Sequence, residues 1–254
     1  MNLLETKNLG ITFDGLVALR GVDFTAEEGK ITAVIGPNGA GKTTFFNLIA
    51  GFYTPTEGSV SFSGRDITSL KPHQRAEIGI ARTFQNINLF RDMSVMDNAL
   101  VGLHCRSKAG VLTSMFRTPG QRREEKALRE EVMTCLELMG LAGYADEKAG
   151  SLSYGMQKNL EIARSLALQP KILLLDEPAS GLNTQDLAGL SERIERIRRQ
   201  GISVVLIEHK MDVVMSISDH IAVLNFGEKI ADGTPEEIGS NPQVIEAYLG
   251  KEDE

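Results

Sequence analysis

Gly36-Pro37-Asn38-Gly39-Ala40-Gly41-Lys42-Thr43-Thr44 constrains the fold of this chain more than any other stretch. It has the spacing G-x-x-x-x-G-K-[ST] of a phosphate-binding loop. Lys30 to Ile35, before it, are apolar and β-branched and predict a buried strand. Lys42 to Ala50, after it, predict a helix with Phe45, Phe46, Leu48 and Ile49 available for packing. The glycines let the backbone curl so that successive N–H groups face one point. The helix N-terminus adds its partial positive charge there. Lys42 can reach β- and γ-phosphates, and the Thr43 hydroxyl can ligate Mg²⁺. An ordinary glycine turn is the weaker reading, because full motif and full context coincide.

The 254 residues, 42% hydrophobic and 24% charged, suit a globular protein of one large or two small domains. A net charge of −7 lacks the basic excess of a generic nucleic-acid binder. Cys105 and Cys135 make no disulfide framework and fit free thiols in a reducing compartment. No apolar run approaches the roughly 18–20 residues that span a bilayer. Met1 to Leu9 holds Glu5 and Lys7 and lacks the apolar core of a signal peptide. The expectation is a cytoplasmic chain, soluble when isolated, that reaches a membrane at most through a partner.

Residues 3 to 28 alternate in places and predict short antiparallel strands, with a turn at Asp14-Gly15. Phe13, at a strand end, can stack on an adenine ring or serve as a core or edge residue. Ser59 to Ser63 predicts a strand, Pro72 to Ile78 a short helix, and Ile80 to Phe84 a strand ending at Gln85. That glutamine can reach a metal or an attacking water, or simply fill the surface. Ser94-Val95-Met96-Asp97 opens a helix through about Leu103. Residues 104 to 124 break the pattern and predict a loop. From Gln121 to Met139, Leu128, Val132, Leu136 and Met139 make the apolar stripe of an amphipathic helix. A further helix is predicted from about Met156 to Leu168.

Ile172 to Leu175 is an apolar strand that delivers Asp176 and Glu177 at its C-terminal end. In a parallel sheet, ligands sit at that end. One acid can hold Mg²⁺ through water and the other can polarise an attacking water. Thr184 to Arg199 predicts a helix, and Ile202 to Ile207 a buried strand ending at Glu208-His209. His209 shares its sheet edge with Gln85, Asp176 and Glu177, whereas His220 reads as structural. Strands at 221–225 and 228–232 follow, then the capping box Thr234-Pro235-Glu236-Glu237. The alternation predicts a mostly parallel, layered α/β core.

In this order the motifs resemble those of the ATP-binding-cassette (ABC) ATPases over essentially the whole chain. The resemblance implies Phe13 as the adenine-stacking aromatic and Gly36 to Thr44 as the loop for ATP. It implies Gln85 as the Q-loop glutamine, Leu152 to Gln157 as the signature, and Asp176 with Glu177 as metal-binding acid and catalytic base. Ser180 to Asn183 would be the D-loop and His209 the switch histidine. Metal ligands would then be Thr43, Gln85 and Asp176, and catalysis would use Glu177, His209, Gln85 and Lys42. Ser153 and Gly155 would face the γ-phosphate bound by a second cassette. Tyr154, Met156 and Asn183 depart from the family's usual residues. The implied fold is a single ABC domain over 1–254. It would hold an N-terminal antiparallel β subdomain, a core from 1–85 and 161–254, and a helical insertion over about 86–160.

More narrowly, the chain is similar to the ATP-binding subunits of branched-chain amino-acid importers, the LivG type. Thr83 to Phe90, the break near 104 to 124, Leu152-Ser153-Tyr154-Gly155 and Ile207 to Met211 carry that likeness. It implies a membrane permease, an extracytoplasmic solute-binding protein acting indirectly, and a homodimer or a sister cassette. Importers of amides or urea are the alternative, as are DNA-maintenance and translation ATPases. The DNA-maintenance type would need a long coiled coil, and the translation type two phosphate loops. Leu89, Phe90 and Met93 either line a cleft for a permease helix or close the core of the insertion.

Overall fold

The computed structural model describes residues 1–83, 87–105 and 119–249. Gln85 therefore lies outside the described residues, as does most of the predicted loop over 104 to 124. Strands β1 (Asn2–Phe13) and β2 (Leu16–Glu27) form a hairpin, followed by β3 (Ile31–Ile35), α1 (Lys42–Ala50) and β4 (Glu57–Phe62). Then come β5 (Arg65–Asp66), α2 (Pro72–Glu77), β6 (Ile80–Arg82), α3 (Val95–Val101), α4 (Pro119–Leu138) and α5 (Tyr154–Leu166). The remainder is β7 (Ile172–Asp176), α6 (Thr184–Arg199), β8 (Ser203–Ile207), α7 (Met211–Ile217), β9 (His220–Asn225), β10 (Glu228–Gly233), α8 (Pro235–Gly239) and α9 (Pro242–Leu249).

The N-terminal region is not a set of short strands but two of 12 residues each. Bulges along the β1–β2 register, such as that between Thr6 and Leu9, shift the side-chain alternation and blur the strand signal. Helix α4 begins at Pro119 rather than Gln121, since proline suits a first helical turn. Helix α5 begins at Tyr154 rather than Met156, because the Ser153 hydroxyl accepts the Met156 N–H and caps it.

Among the described residues the strands form two sheets. One is antiparallel, in the order β2-β1-β4-β5; the other has the order β10-β9-β3-β8-β7-β6. In the second, β3, β6, β7, β8 and β9 run parallel and β10 is antiparallel to β9. Every residue of β3, β7 and β8 is buried, because both faces of this sheet are covered. Alternation decides the side. Ile31, Ala33, Leu173, Leu175, Val204 and Leu206 pack with α3 to α6, including Val132, Leu136 and Met139 of the expected stripe. Val34, Ile172, Leu174, Val205 and Ile207 pack with Phe45 and Phe46 of α1 and with the antiparallel sheet. The expected limit of the helical insertion near 160 falls within α5, whose residues on both sides belong to one core. Cys135 is half-buried, and burial, helped by Glu131, pushes its thiol up to about 11, so it stays an inert thiol.

Candidate nucleotide site

Strand order and register assemble the site. Val34 and Asp176 both pair with Ile207, so the residues after β3, β7 and β8 emerge at one edge of the sheet. Strands β8 and β9 lie on opposite sides of β3, which makes the end of β3 the point where the topology switches direction. The phosphate loop starts there.

Gly36 can only be glycine. Its φ is 150°, and a Cβ on it would stand 2.1 Å from the Leu224 carbonyl oxygen of β9. The loop is thus seated on the neighbouring strand. The Gly227 N–H, from the β9–β10 turn, donates to the Ala40 carbonyl at 3.1 Å. Lys42 folds back over the loop and donates to the Gly36 and Pro37 carbonyls at 2.7 and 2.8 Å. Burial holds its ammonium below the ordinary lysine range, while Glu177 and then Asp176 pull it back up. A buried cation supported by two acids is ready to exchange carbonyl partners for phosphate oxygens.

A cavity of about 450 Å³ opens in front of the loop. Asn38, Gly39, Ala40, Gly41, Lys42, Thr43 and Thr44 line it, and so do Glu177, His209, Leu16, Val17, Ala18, Phe226 and Gly227. Glu177 is presented by a strained backbone, at φ 47° just past the end of β7. Its N–H donates to the Ile207 carbonyl at 3.0 Å, and its own carbonyl accepts the Lys158 ammonium at 3.2 Å. Its carboxylate Oε1 lies 3.1 Å from Nε2 of His209. Glu208 is buried and accepts the N–H groups of Ala179, at 2.6 Å, and His209, at 3.1 Å. It ties the loop after β7 to the loop after β8. Burial raises its pKa against the lowering effect of those N–H groups.

Asp176, buried at the end of β7, does not line the cavity and pairs at 2.8 Å with Arg82, which also donates to Asn47 Oδ1 at 2.7 Å. Arg82 was not among the expected site residues. Its partners are remote in sequence, so no local pattern marks it. Lys158 and Phe226 were missed for the same reason and because exposure cannot be read from one sequence.

Other expected residues stand apart from this cavity. Pro37 lines a neighbouring one with Phe226 and α9. Phe13 packs edge-on against Tyr53, with ring centroids 5.2 Å apart, and does not line the phosphate-loop cavity. Ser153 is exposed at the start of α5, whereas Gly155 is buried against the Asp186 carboxylate. Asn183 caps α6 by accepting the Asp186 N–H at 2.9 Å, so an amide does the local work there. The Tyr154 ring covers Gly181. His220 is structural as expected, paired with Asp232 across β9 and β10.

Thr43 and Asp176 are hard oxygen donors, the kind a magnesium ion takes alongside phosphate oxygens and water. Among the described residues no group of three or more His, Cys, Asp or Glu side chains could hold a metal alone. Two hard oxygen donors fit a magnesium ion that completes its shell with phosphate oxygens and water.

A phosphate loop between strand and helix, facing a strand-end acid and a histidine across one cavity, defines a phosphate-loop nucleoside triphosphatase. The chain belongs to the ABC transporter family, whose model matches residues 19–180. It is an ATPase of that class. A second model, described as branched-chain amino acid ATP-binding cassette transporter, matches residues 228–254. The chain is 46% identical over 250 residues to the high-affinity branched-chain amino acid transport ATP-binding protein BraF of Pseudomonas aeruginosa, covering 98% of each. It is 44% identical, with the same coverage, to the LivG protein of that description from Escherichia coli. Its fold matches the ADP conformation of an ABC transporter's ATP-binding cassette with a TM-score of 0.87, at 34% identity over 99% of this chain and 100% of that one. A dimeric post-hydrolysis cassette bound to ADP and Pi matches at 0.77 and 25% identity, over 92% and 99%. No helix among the described residues is long and apolar enough to cross a membrane.

Proposed function

We propose that this ATPase works at the cytoplasmic face of a membrane, where it energises uptake of branched-chain amino acids through a separate permease. The observation that carries the chemistry is the convergence of Lys42, Glu177 and His209 on one cavity. The relatives' names and the model matched at residues 228–254 support the solute class.

The triphosphate lies on the loop, where N–H groups from Asn38 to Thr44 and the Lys42 ammonium hold the β- and γ-phosphates. Thr43, Asp176 and Gln85 would hold Mg²⁺. Such an ion would supply positive charge against the charge that develops on the phosphates. Glu177 accepts a proton from the attacking water at its carboxylate. The His209 imidazole, against Oε1, fixes the direction of that carboxylate. Two cassettes close head to tail, each offering Ser153 and Gly155 to the ATP on the other's loop. The dimeric relative with ADP and Pi supports this arrangement.

The test is reconstitution with the membrane subunits and solute-binding protein of a branched-chain amino-acid importer from the same source. Leucine, isoleucine or valine should stimulate ATP hydrolysis, and Lys42→Ala should abolish it. Stimulation by amides or urea alone would overturn the solute class. Near-normal turnover in the lysine variant would overturn the site.

A further inference from the structure

Glu208 is a buried acid between Ile207, which ends β8, and His209. Burying a carboxylate is costly unless its oxygens are well bonded. Burial pushes its pKa up and the charge of Glu177 adds to that, while the N–H groups of Ala179, His209 and Lys210 lower it. The carboxylate divides those groups by loop. Oε1 accepts the Ala179 N–H at 2.6 Å, from the loop after β7. Oε2 accepts the N–H groups of His209, at 3.1 Å, and Lys210, at 3.5 Å, from the loop after β8. An amide of the same shape has one acceptor oxygen, so it could serve one loop but not both.

The bond to Ala179 is the middle one of three between these loops. On one side of it, the Glu177 N–H donates to the Ile207 carbonyl at 3.0 Å. On the other, the Lys210 ammonium donates to the Leu182 carbonyl at 3.1 Å. Residues 207, 208 and 210 thus grip residues 177, 179 and 182 in order. The first loop is also bonded to itself. The Ser180 N–H donates to the Glu177 carbonyl at 3.2 Å, and the Leu182 N–H to that of Ala179 at 3.3 Å. A shift at Ala179 is therefore passed to Glu177. The contact between Glu177 Oε1 and His209 Nε2, at 3.1 Å, joins one side chain from each loop, so its length follows the spacing of the loops.

We infer that Glu208 is a positioning residue for hydrolysis: its two oxygens set the spacing of the loops and so hold Glu177 against His209. Lys210 is the outer support of the same spacing. This rests on the site proposed above.

Glu208→Gln keeps the size and removes one acceptor. Steady-state hydrolysis and calorimetric ATP binding are measured on the full chain. The variant should lose about tenfold or more in kcat while KM and ATP affinity stay within about twofold, because a misplaced catalytic group costs turnover rather than binding. The pairing with Glu177→Gln separates positioning from a merely structural role. A residue that acts through Glu177 has nothing left to position once that base is gone, so adding Glu208→Gln to Glu177→Gln should change the residual kcat by less than about twofold. A loss of about tenfold in that background, or a single variant with kcat within about twofold of the parent, overturns the inference. If Glu208→Gln does not fold, Lys210→Met takes its place and should lose about threefold or more in kcat, with no further loss in the Glu177→Gln background. An unchanged kcat there, or an equal loss in both backgrounds, overturns the inference too. Glu177→Gln alone is the control. If it hydrolyses ATP at the parental rate, the site fails and the inference with it; if it is slow but the Glu208 and Lys210 variants are not, the inference alone falls.

Discussion

At the scale of the residue, Glu177, the base of the proposed mechanism, is held in a backbone conformation that its side chain does not favour. Left-handed φ in a non-glycine residue costs on the order of 1–3 kcal/mol and persists only where the surroundings impose it. The imposing contacts are the Ile207 carbonyl and the ammonium of Lys158, which is almost wholly buried on α5. Two predictions belong to this scale. Glu177→Gln keeps the contacts and loses the base, so ATP affinity should hold while kcat falls by ~10²-fold or more. Lys158→Met removes the ammonium that grips the Glu177 carbonyl. Misplacement of a catalytic group by about 1 Å can cost up to ~10²-fold, so kcat should fall about tenfold or more with KM for ATP unchanged. Lys158→Arg should recover part of the loss. Steady-state kinetics decide both, and an unaltered kcat in Lys158→Met refutes the positioning role.

At the scale of the element, helix α1 carries the phosphate loop and is fixed at its far end by one side chain. Arg75 is fully buried on α2. Its Nη1 donates to the Leu48 and Ile49 carbonyls at the end of α1, at 2.6 and 2.5 Å. Its Nη2 donates to those of Ile67 and Thr68, and Nε to that of Leu70. Burial pulls the guanidinium down to about 10, with Asp66 pulling back. Arg75→Met would leave several buried carbonyls without donors, each a cost of about 1–3 kcal/mol where water cannot reach. A loss of at least about 3 kcal/mol is expected in urea unfolding at constant m-value, and a loss under about 1 kcal/mol would show that α1 is held otherwise. The contrast with the phosphate loop explains what the sequence conveys. The loop, the acids at the end of β7, the histidine after β8 and the capping boxes are contiguous patterns, each with its own local physics. Arg75, Arg82 and Lys158 act on partners distant along the chain, and nothing near them announces that contact. The long hairpin was hidden by its bulges, and the first turns of α4 and α5 by a proline and a serine that begin helices rather than precede them.

At the scale of the whole molecule, the question is how cavity chemistry reaches a membrane. The segment after Gln85 bears on it. Leu89 packs into the core shared by the sheet and α3 to α6. Phe90 does not, being 53% exposed. Its backbone is held from both sides by the buried Asn98, whose Oδ1 accepts the Phe90 N–H and whose Nδ2 donates to the Phe90 carbonyl, each at 2.9 Å. Arg164 of α5 adds a grip on the Asn88 carbonyl at 2.6 Å. The two readings left open for this stretch therefore divide between neighbours, with Leu89 closing the core and Phe90 presented to solvent on a rigid mount. A rigidly held, exposed aromatic is how a surface anchors an incoming helix. Phe90→Asp tests this without threatening the fold, since exposed substitutions usually stay within about 0.5 kcal/mol. The isolated variant should melt as the parent does and hydrolyse ATP at the same basal rate. In the reconstituted transporter it should lose permease association and solute-stimulated turnover by about tenfold or more, as truncation of an interface anchor typically costs about 2 kcal/mol. Unfolding of the isolated subunit would show that Phe90 serves the cassette itself, and transport at the parental rate would show that the permease docks elsewhere.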